Sequence, residues 1–245
     1  MCGFTGFYAL KAGASRSELH VIGQKMSDTI THRGPDSGNL WQDPDQPLVL
    51  AHRRLSIIDL TKDGEQPMVS HSERYVIIFN GEFYNFQDLR RELEVKDVKF
   101  KGRSDTEVFL AAVEHWGLNQ ALQKINGMFA FALWDRKEKM LHLVRDRLGK
   151  KPLYVGWAGN NLVFGSELKA LRAHPEFEAQ INAYALQGFL RLNYIEAPET
   201  IYYNIWQLPA GHRMSLDLST LRTGDDLLDE MKSYWDPVRV LDDAK

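Results

Sequence analysis

The chain has 245 residues, a formal net charge of −3 and 44% hydrophobic residues, as is ordinary for a globular protein. Its 30 basic and 33 acidic residues give no electrostatic footprint for nucleic acid or an anionic membrane, and its single cysteine excludes an intrachain disulfide. No apolar run approaches the roughly 18 residues of a membrane span and no signal-peptide pattern opens the chain, so we expect a cytoplasmic protein.

The first half of the chain shows one helical pattern and several short apolar runs. Residues 15–30 carry apolar side chains at helical spacing, and Asn85 is expected to cap a second helix. The run at residues 75–79 has the pattern of a buried strand, which the turn-forming Asn80-Gly81 pair is expected to end. Other strands are predicted at residues 3–10, 48–51 and 55–60.

The second half begins with a well-marked helix start. Ser104-Asp105-Thr106-Glu107 has the spacing of a capping box ahead of a helical apolar face. Because the strands come in consecutive pairs and the helices in clusters, we predict an α+β chain with antiparallel sheets covered by helices. Strands are predicted at residues 127–134, 140–144, 153–155, 162–164 and 211–216, and helices at residues 167–172 and 182–192.

Cys2 is the only cysteine, and removal of Met1 would make it the N-terminal residue. It would then carry a thiol nucleophile beside a free α-amino group, whose reference pKa of about 7.7–8.0 suits a general base near neutral pH. A nucleophile with its own base needs no histidine partner. The alternative is that Cys2 is a small apolar residue packed under the first strand.

Asn80-Gly81-Glu82 has two interpretations. Asn-Gly is the commonest signal of a hairpin turn. Acyl transfer from an amide, however, needs two donors that already point at the developing oxyanion, and one Asn amide plus one glycine N–H would supply both.

Arg54 and Asp105 supply opposite charges from separate segments. A guanidinium binds the α-carboxylate of an amino acid as a fork, and a carboxylate holds its α-ammonium. The alternative is a pair of solvated surface charges, with Asp105 stabilising the dipole of its helix. His32 and His52 would offer Cys2 a different base, although with eight histidines such pairs arise by chance.

Several motifs of one known family occur in order along the chain. They are Cys2-Gly3-Phe4, His32-Arg33-Gly34-Pro35-Asp36, Arg54-Leu55-Ser56-Ile57-Ile58-Asp59, Phe79-Asn80-Gly81-Glu82-Phe83-Tyr84-Asn85, Ser104-Asp105-Thr106-Glu107 and Arg145-Asp146-Arg147-Leu148-Gly149. Together they closely resemble the class II glutamine amidotransferase domain of glutamine-hydrolysing asparagine synthetases.

The resemblance implies an N-terminal-nucleophile hydrolase fold, which is a four-layer αββα sandwich of two antiparallel sheets between helical layers. It also implies hydrolysis of L-glutamine to glutamate and ammonia through a γ-glutamyl thioester on Cys2. By the same resemblance, Asn80 and Gly81 form the oxyanion hole. The substrate-binding positions that it implies are Arg54, Ile57, Ile58, Asn80, Glu82 and Asp105.

The resemblance further implies a division of the chain. Residues 2–215 are expected to form the glutaminase domain, and residues 216–245 a linker towards a C-terminal synthetase domain that this sequence lacks. No metal or cofactor is expected for glutamine hydrolysis. ATP and Mg²⁺ are expected only in the synthetase domain, where the ammonia would amidate a carboxylate such as aspartate or a sugar acid.

Two alternatives stay open beside this interpretation. The chain could be the glutaminase domain of another class II amidotransferase, which feeds sugar-phosphate isomerisation or purine synthesis. It could also be a non-catalytic module that binds glutamine and retains Met1. The partners expected from the sequence are L-glutamine and the synthetase domain, with no nucleic acid or membrane, and a homodimer stays open.

Overall fold

A computed structural model describes residues 2–11, 13–56, 59 and 61–243, and in this part of the chain twelve strands form two antiparallel sheets. The strands are β1 Gly3–Ala9, β2 Ser37–Gln42, β3 Leu48–Arg54, β4 Met68–Val69, β5 Tyr75–Phe83, β6 Gly127–Asp135, β7 Met140–Arg145, β8 Tyr154–Ala158, β9 Asn161–Gly165, β10 Ile205–Gln207, β11 His212–Asp217 and β12 Lys232–Ser233. The first sheet has the order β10-β8-β9-β1-β3-β2, and the second has the order β12-β11-β7-β6-β5-β4.

Six α-helices accompany the sheets in the described residues. They are α1 Arg16–Asp28, α2 Phe86–Glu94, α3 Asp105–Lys124, α4 Leu168–Arg172, α5 Ala183–Leu192 and α6 Pro237–Asp243. The Ser15 side chain accepts from Glu18 N to start α1, and that of Ser104 accepts from Glu107 N to start α3. None of these helices is long and apolar enough to cross a membrane.

The apolar core has three parts that define four layers. Side chains such as Phe4 and Trp134 fill the space between the two sheets. The outer face of the first sheet packs against α1 and α4, and that of the second packs against α2 and α3. This arrangement confirms the predicted αββα sandwich of two antiparallel sheets between helical layers.

The strand predicted at residues 55–60 is wrong at each of its three described residues. β3 continues through the polar His52-Arg53-Arg54 and ends at Arg54, because β2 pairs with it as far as that residue. Leu55, Ser56 and Asp59 lie outside the strands, while residues 57, 58 and 60 lie outside the described residues.

β5 does not end where the sequence predicted. It passes straight through Asn80 and Gly81 to Phe83, because β6 pairs with it along its whole length, from Tyr75↔Asp135 to Phe83↔Gly127. The Asn-Gly pair therefore lies within a strand rather than in a hairpin turn.

Part of the segment after residue 215 packs with the rest of the chain. Leu218 and Leu227 are buried in the core between the sheets, and β12 extends the second sheet beside β11. The division at residue 215 stays a prediction about domain organisation.

Candidate active site

Cys2 directly precedes β1 and lies opposite the end of β3. The register pairs Gly3 with Arg53, so that the thiol reaches the chain that follows β3. It donates to Leu55 O at 3.5 Å and accepts from Leu55 N at 3.3 Å. The thiol therefore has a fixed place, and Cys2 stays partly exposed.

A cavity of about 120 Å³ opens beside this thiol. Every predicted site residue that the structure describes lines it, namely Cys2, Arg54, Asn80, Gly81, Glu82 and Asp105. Ile57 and Ile58, the two other predicted residues, lie outside the described residues. A cavity of this size suits a small metabolite rather than a polymer.

Gly81 directs its backbone N–H towards the cavity edge of β5. The residue opposite it, Phe129, uses both its N–H and its C=O on Asp146, which lies on the far side of β6. Gly81 and Phe129 are therefore a non-hydrogen-bonded pair of the ladder, and the Gly81 N–H points away from β6. The strand thus offers a backbone donor to the cavity.

Asn80 is almost fully buried, with 1% of its surface exposed. The orientation of its amide follows from its neighbours: Nδ2 donates to Cys2 O at 2.9 Å, and Oδ1 accepts from Arg33 Nη2 at 3.2 Å. An amide nitrogen carries two hydrogens, so one remains for a group bound in the cavity.

Arg33 is a site residue that the sequence analysis missed. Its Nε donates to Cys2 O at 2.9 Å, and its Nη1 pairs with Glu167 at 2.9 Å. A side chain at Gly3 would lie 2.7 Å from Arg33 Cδ, so glycine is what allows this approach. The motif at residues 32–36 marked the segment, but nothing in its sequence indicated a contact with Cys2.

Arg54 is held at the cavity by the backbone that follows β3. Its Nη1 donates to Thr61 O at 2.9 Å, and its Nη2 donates to Asp59 O. A guanidinium has five N–H donors, so these two bonds leave capacity for an anionic group in the cavity. Gly64 packs against the guanidinium, and a Cβ there would come within 2.4 Å of Nη2.

Asp105 is the first residue of α3 and is also buried. Its Oδ2 accepts from Phe83 N at 3.0 Å. Burial raises the pKa of this carboxyl to about 6, an effect that the Phe83 hydrogen bond partly offsets and the nearby charge of Glu82 reinforces. A cation in the cavity would favour the charged form of Asp105, which makes the site suited to an ammonium group.

Lys151 lines the cavity, although the sequence analysis did not single it out. Its backbone is fixed by two buried neighbours: Arg145 Nε donates to Lys151 O at 2.8 Å, and Asp146 Oδ2 accepts from Lys151 N at 2.9 Å. The motif at residues 145–149 ends two residues before this buried lysine, so it marked the segment but not the cavity contact.

The described residues that line the cavity include no histidine. His52 lies buried between the sheets, and His32 pairs with Glu167 at 3.0 Å. This argues against a Cys–His pair. Glu82 lines the cavity from an exposed position, and no group of three or more potential metal ligands occurs in the described part of the chain.

Comparisons with protein families and with curated proteins agree on one family. A model described as "Glutamine amidotransferase domain" matches residues 1–235. "Asparagine synthetase [glutamine-hydrolyzing] 3" of Bacillus subtilis (strain 168) is 36% identical over 218 residues, covering 88% of this chain and 34% of the relative. "Asparagine synthetase [glutamine-hydrolyzing] 1" of the same organism is 35% identical over 245 residues, covering 99% and 37%. The chain thus spans about a third of the length of these relatives.

Solved structures with the same fold include two enzymes of low sequence identity. One is the glutamine phosphoribosylpyrophosphate amidotransferase from B. subtilis, with a TM-score of 0.63 and 16% identity, covering 92% of this chain and 50% of the other. The second is described as the allosteric regulatory enzyme of purine biosynthesis, with a TM-score of 0.64, 17% identity and the same coverage. Their likeness confirms the predicted fold.

Proposed function

The chain belongs to the glutamine amidotransferase family, as a class II domain of the asparagine synthetase type, and we propose that it hydrolyses L-glutamine to glutamate and ammonia. The observation that carries this proposal is the meeting of a thiol, a cation, an anion and a backbone donor at one cavity. Those groups come from Cys2, Arg54, Asp105 and Gly81. Binding and hydrolysis of glutamine need each of these four groups.

The proposed reaction starts from Cys2 with a free α-amino group, which requires removal of Met1. The amine takes the thiol proton, and the thiolate attacks the δ-carbonyl of glutamine. The C–N bond then breaks, the amine returns the proton to the leaving nitrogen, and ammonia departs. Water, activated by the same amine, cleaves the γ-glutamyl thioester to release glutamate and restore the thiol.

Asn80 and Gly81 are proposed to stabilise both tetrahedral oxyanions. The Gly81 N–H faces the edge of β5 where the cavity lies, and Asn80 Nδ2 keeps one hydrogen beyond its bond to Cys2 O. Donors fixed in advance lower the barrier because they need no reorganisation when charge develops.

Arg54 and Asp105 are proposed to hold the amino-acid end of the substrate. The guanidinium of Arg54 would fork onto the α-carboxylate, and the carboxylate of Asp105 would hold the α-ammonium. Glu82 would frame the same end of the cavity, with Ile57 and Ile58 as further proposed contacts from the sequence.

The experiment that tests this function joins intact-mass measurement with an assay of glutamate and ammonia release. We expect wild-type protein without Met1 to turn over glutamine, and Cys2→Ala to lose turnover while still binding glutamine. Cys2 is the only thiol, so loss of turnover cannot come from another cysteine. A wild type that lacks Met1, binds glutamine and releases no ammonia would contradict the proposal; retained Met1 with binding alone would favour a non-catalytic module.

The fate of the ammonia is a separate proposal. The relatives are named as glutamine-hydrolysing asparagine synthetases, so we propose a synthetase domain as the partner that consumes ammonia. ATP and Mg²⁺ would act there, and aspartate or a sugar acid would be the acceptor. The glutaminase reaction itself is proposed to need no cofactor, and cytoplasmic location and a homodimer remain predictions.

A further inference from the structure

Among the residues that the structure describes, the edge of the second sheet is incomplete beside the site. β4 has only Met68–Val69, which pair with Ile77 and Val76 of β5. The next residue of β5 whose backbone faces this edge is Phe79, which lies beyond the end of β4. An uncovered strand edge has N–H and C=O groups that no ladder partner holds in place.

Two side chains take the place of the missing strand. Gln66 Oε1 accepts from Phe79 N at 2.6 Å, and His52 Nε2 lies 3.0 Å from Phe79 O. Since a carbonyl oxygen only accepts, His52 must carry its proton on Nε2 and donate it. We propose that His52 and Gln66 are positioning residues, which complete the edge of β5 and thereby fix the Asn80 and Gly81 donors for the glutaminase reaction proposed above.

The bonds of Gln66 and His52 to Phe79 affect the proposed reaction because of where Phe79 lies in β5. It is the residue before Asn80 and shares the outward-facing backbone row with Gly81. In the same row, Phe83 N is held by Asp105 Oδ2 at 3.0 Å. The Gly81 N–H therefore lies between two anchored residues, so the strand offers it to the cavity at a fixed place.

Core packing alone does not explain a histidine at position 52. It is 1% exposed, and its Nδ1 has no hydrogen-bond partner among the described residues. Burial lowers the pKa of the ring to about 4, so it is neutral at pH 7. Leu50, two residues earlier on the same face of β3, fills the same core without a polar atom. A buried nitrogen without a partner costs folding free energy, and what the ring provides in return is the bond to Phe79 O.

The test compares His52→Leu with a matched control, His174→Leu. His174 is also buried and also has a ring nitrogen without a partner among the described residues, but it packs against Phe7 on the outer face of the first sheet. For His52→Leu we expect kcat of glutaminase to fall by about 10- to 100-fold with KM changed less than about threefold, since small misplacements of reacting groups have effects of this size.

His174→Leu is expected to leave kcat and KM unchanged. His52→Gln is expected to keep most of the wild-type kcat, because the glutamine Nε2 can donate to Phe79 O as the histidine Nε2 does. The thermal midpoint separates positioning from plain packing, since a packing role predicts that kcat and the midpoint fall together. A folded His52→Leu protein with wild-type kcat would overturn the proposal, as would a kcat loss that His174→Leu shares.

A measurement on wild-type protein needs no variant and no turnover. Nitrogen-15 NMR of the His52 ring at pH 7 is expected to show the neutral Nε2–H tautomer with a hydrogen-bonded proton. A protonated ring, or a proton on Nδ1, would overturn the positioning role even where glutamine is hydrolysed. If wild-type protein has this tautomer but no glutaminase activity, the proposed function fails while the anchoring of Phe79 stands.

Discussion

At the scale of single residues, burial makes the charge of Asp105 depend on pH in the range where enzymes are assayed. The pKa of its carboxyl is raised to about 6, chiefly because the group is removed from water. Below that pH the free site holds a neutral carboxyl, which cannot pair with an ammonium. Above it the site holds the anion, so binding of an α-ammonium should strengthen as pH rises through about 6 and then level off.

We predict this pH dependence for glutamine binding to Cys2→Ala, where no turnover interferes. Between pH 5 and 8, calorimetry should show an affinity that is constant above about pH 7 and weakens by up to tenfold per unit below about 6. Asp105→Asn in the same background should bind weakly and without this pH step. Constant affinity of Cys2→Ala from pH 5 to 8 would contradict the role of Asp105.

The residues of the site could be predicted from the sequence only with the help of the resemblance. Arg54 and Asp105 are 51 positions apart, and no local pattern brings a cation and an anion together over that distance. Arg33 was missed for a similar reason. Its bond to Cys2 O depends on the pairing of β1 with β3 and on the space that Gly3 leaves, which are both tertiary features.

At the scale of elements, the middle of β5 tolerates no side chain at residue 81. A Cβ on Gly81 would lie 2.2 Å from Met128 O and 2.7 Å from Phe129 Cα. Both atoms belong to the backbone of β6, so relief requires the two strands to separate. That movement would displace the N–H that we propose for the oxyanion.

We predict that Gly81→Ala lowers the free energy of unfolding by about 1–3 kcal/mol, as is typical of overpacking, and lowers kcat as well. Urea unfolding and the glutaminase assay measure the two effects. Gly188→Ala is the matched control, because residue 188 lies in α5 and, beyond its own helix backbone and chain neighbours, no described atom lies within 4 Å of its added Cβ. There we expect stability to be unchanged or higher by about 0.5–1 kcal/mol. A Gly81→Ala protein as stable and active as wild type would contradict the proposed placement.

The elements that the sequence predicted well are those whose pattern is local. The helix over residues 15–30, the capped start of α3 and the strands at residues 127–134 and 140–144 all carry their signals within a few residues. β5 was predicted too short because Asn-Gly is a turn signal, which pairing along all of β6 overrides. The strands β2 and β10 were missed since neither shows a clear alternation, and each is defined by its neighbour in the sheet.

At the scale of the whole molecule, two buried histidines and one partly buried histidine make the fold sensitive to acid. His52, His142 and His174 lie in different parts of the structure, and burial lowers the pKa of each from 6.5 to about 4. Between these values the unfolded chain binds protons that the folded chain excludes, so stability falls as pH falls. Asp105 acts in the opposite direction, because its raised pKa lets the folded state bind a proton first.

The balance of these groups gives a prediction for unfolding. Three histidines against one aspartate leave the unfolded state with about two more bound protons near pH 5. The free energy of unfolding should then fall by about 3 kcal/mol per pH unit between pH 6 and 4.5, since each of the two protons contributes about 1.4 kcal/mol per unit. Urea unfolding at several pH values measures this slope. His174→Leu should reduce the slope by the contribution of about one proton. Equal stability at pH 7 and pH 5 would contradict the lowered pKa of these rings in the folded protein.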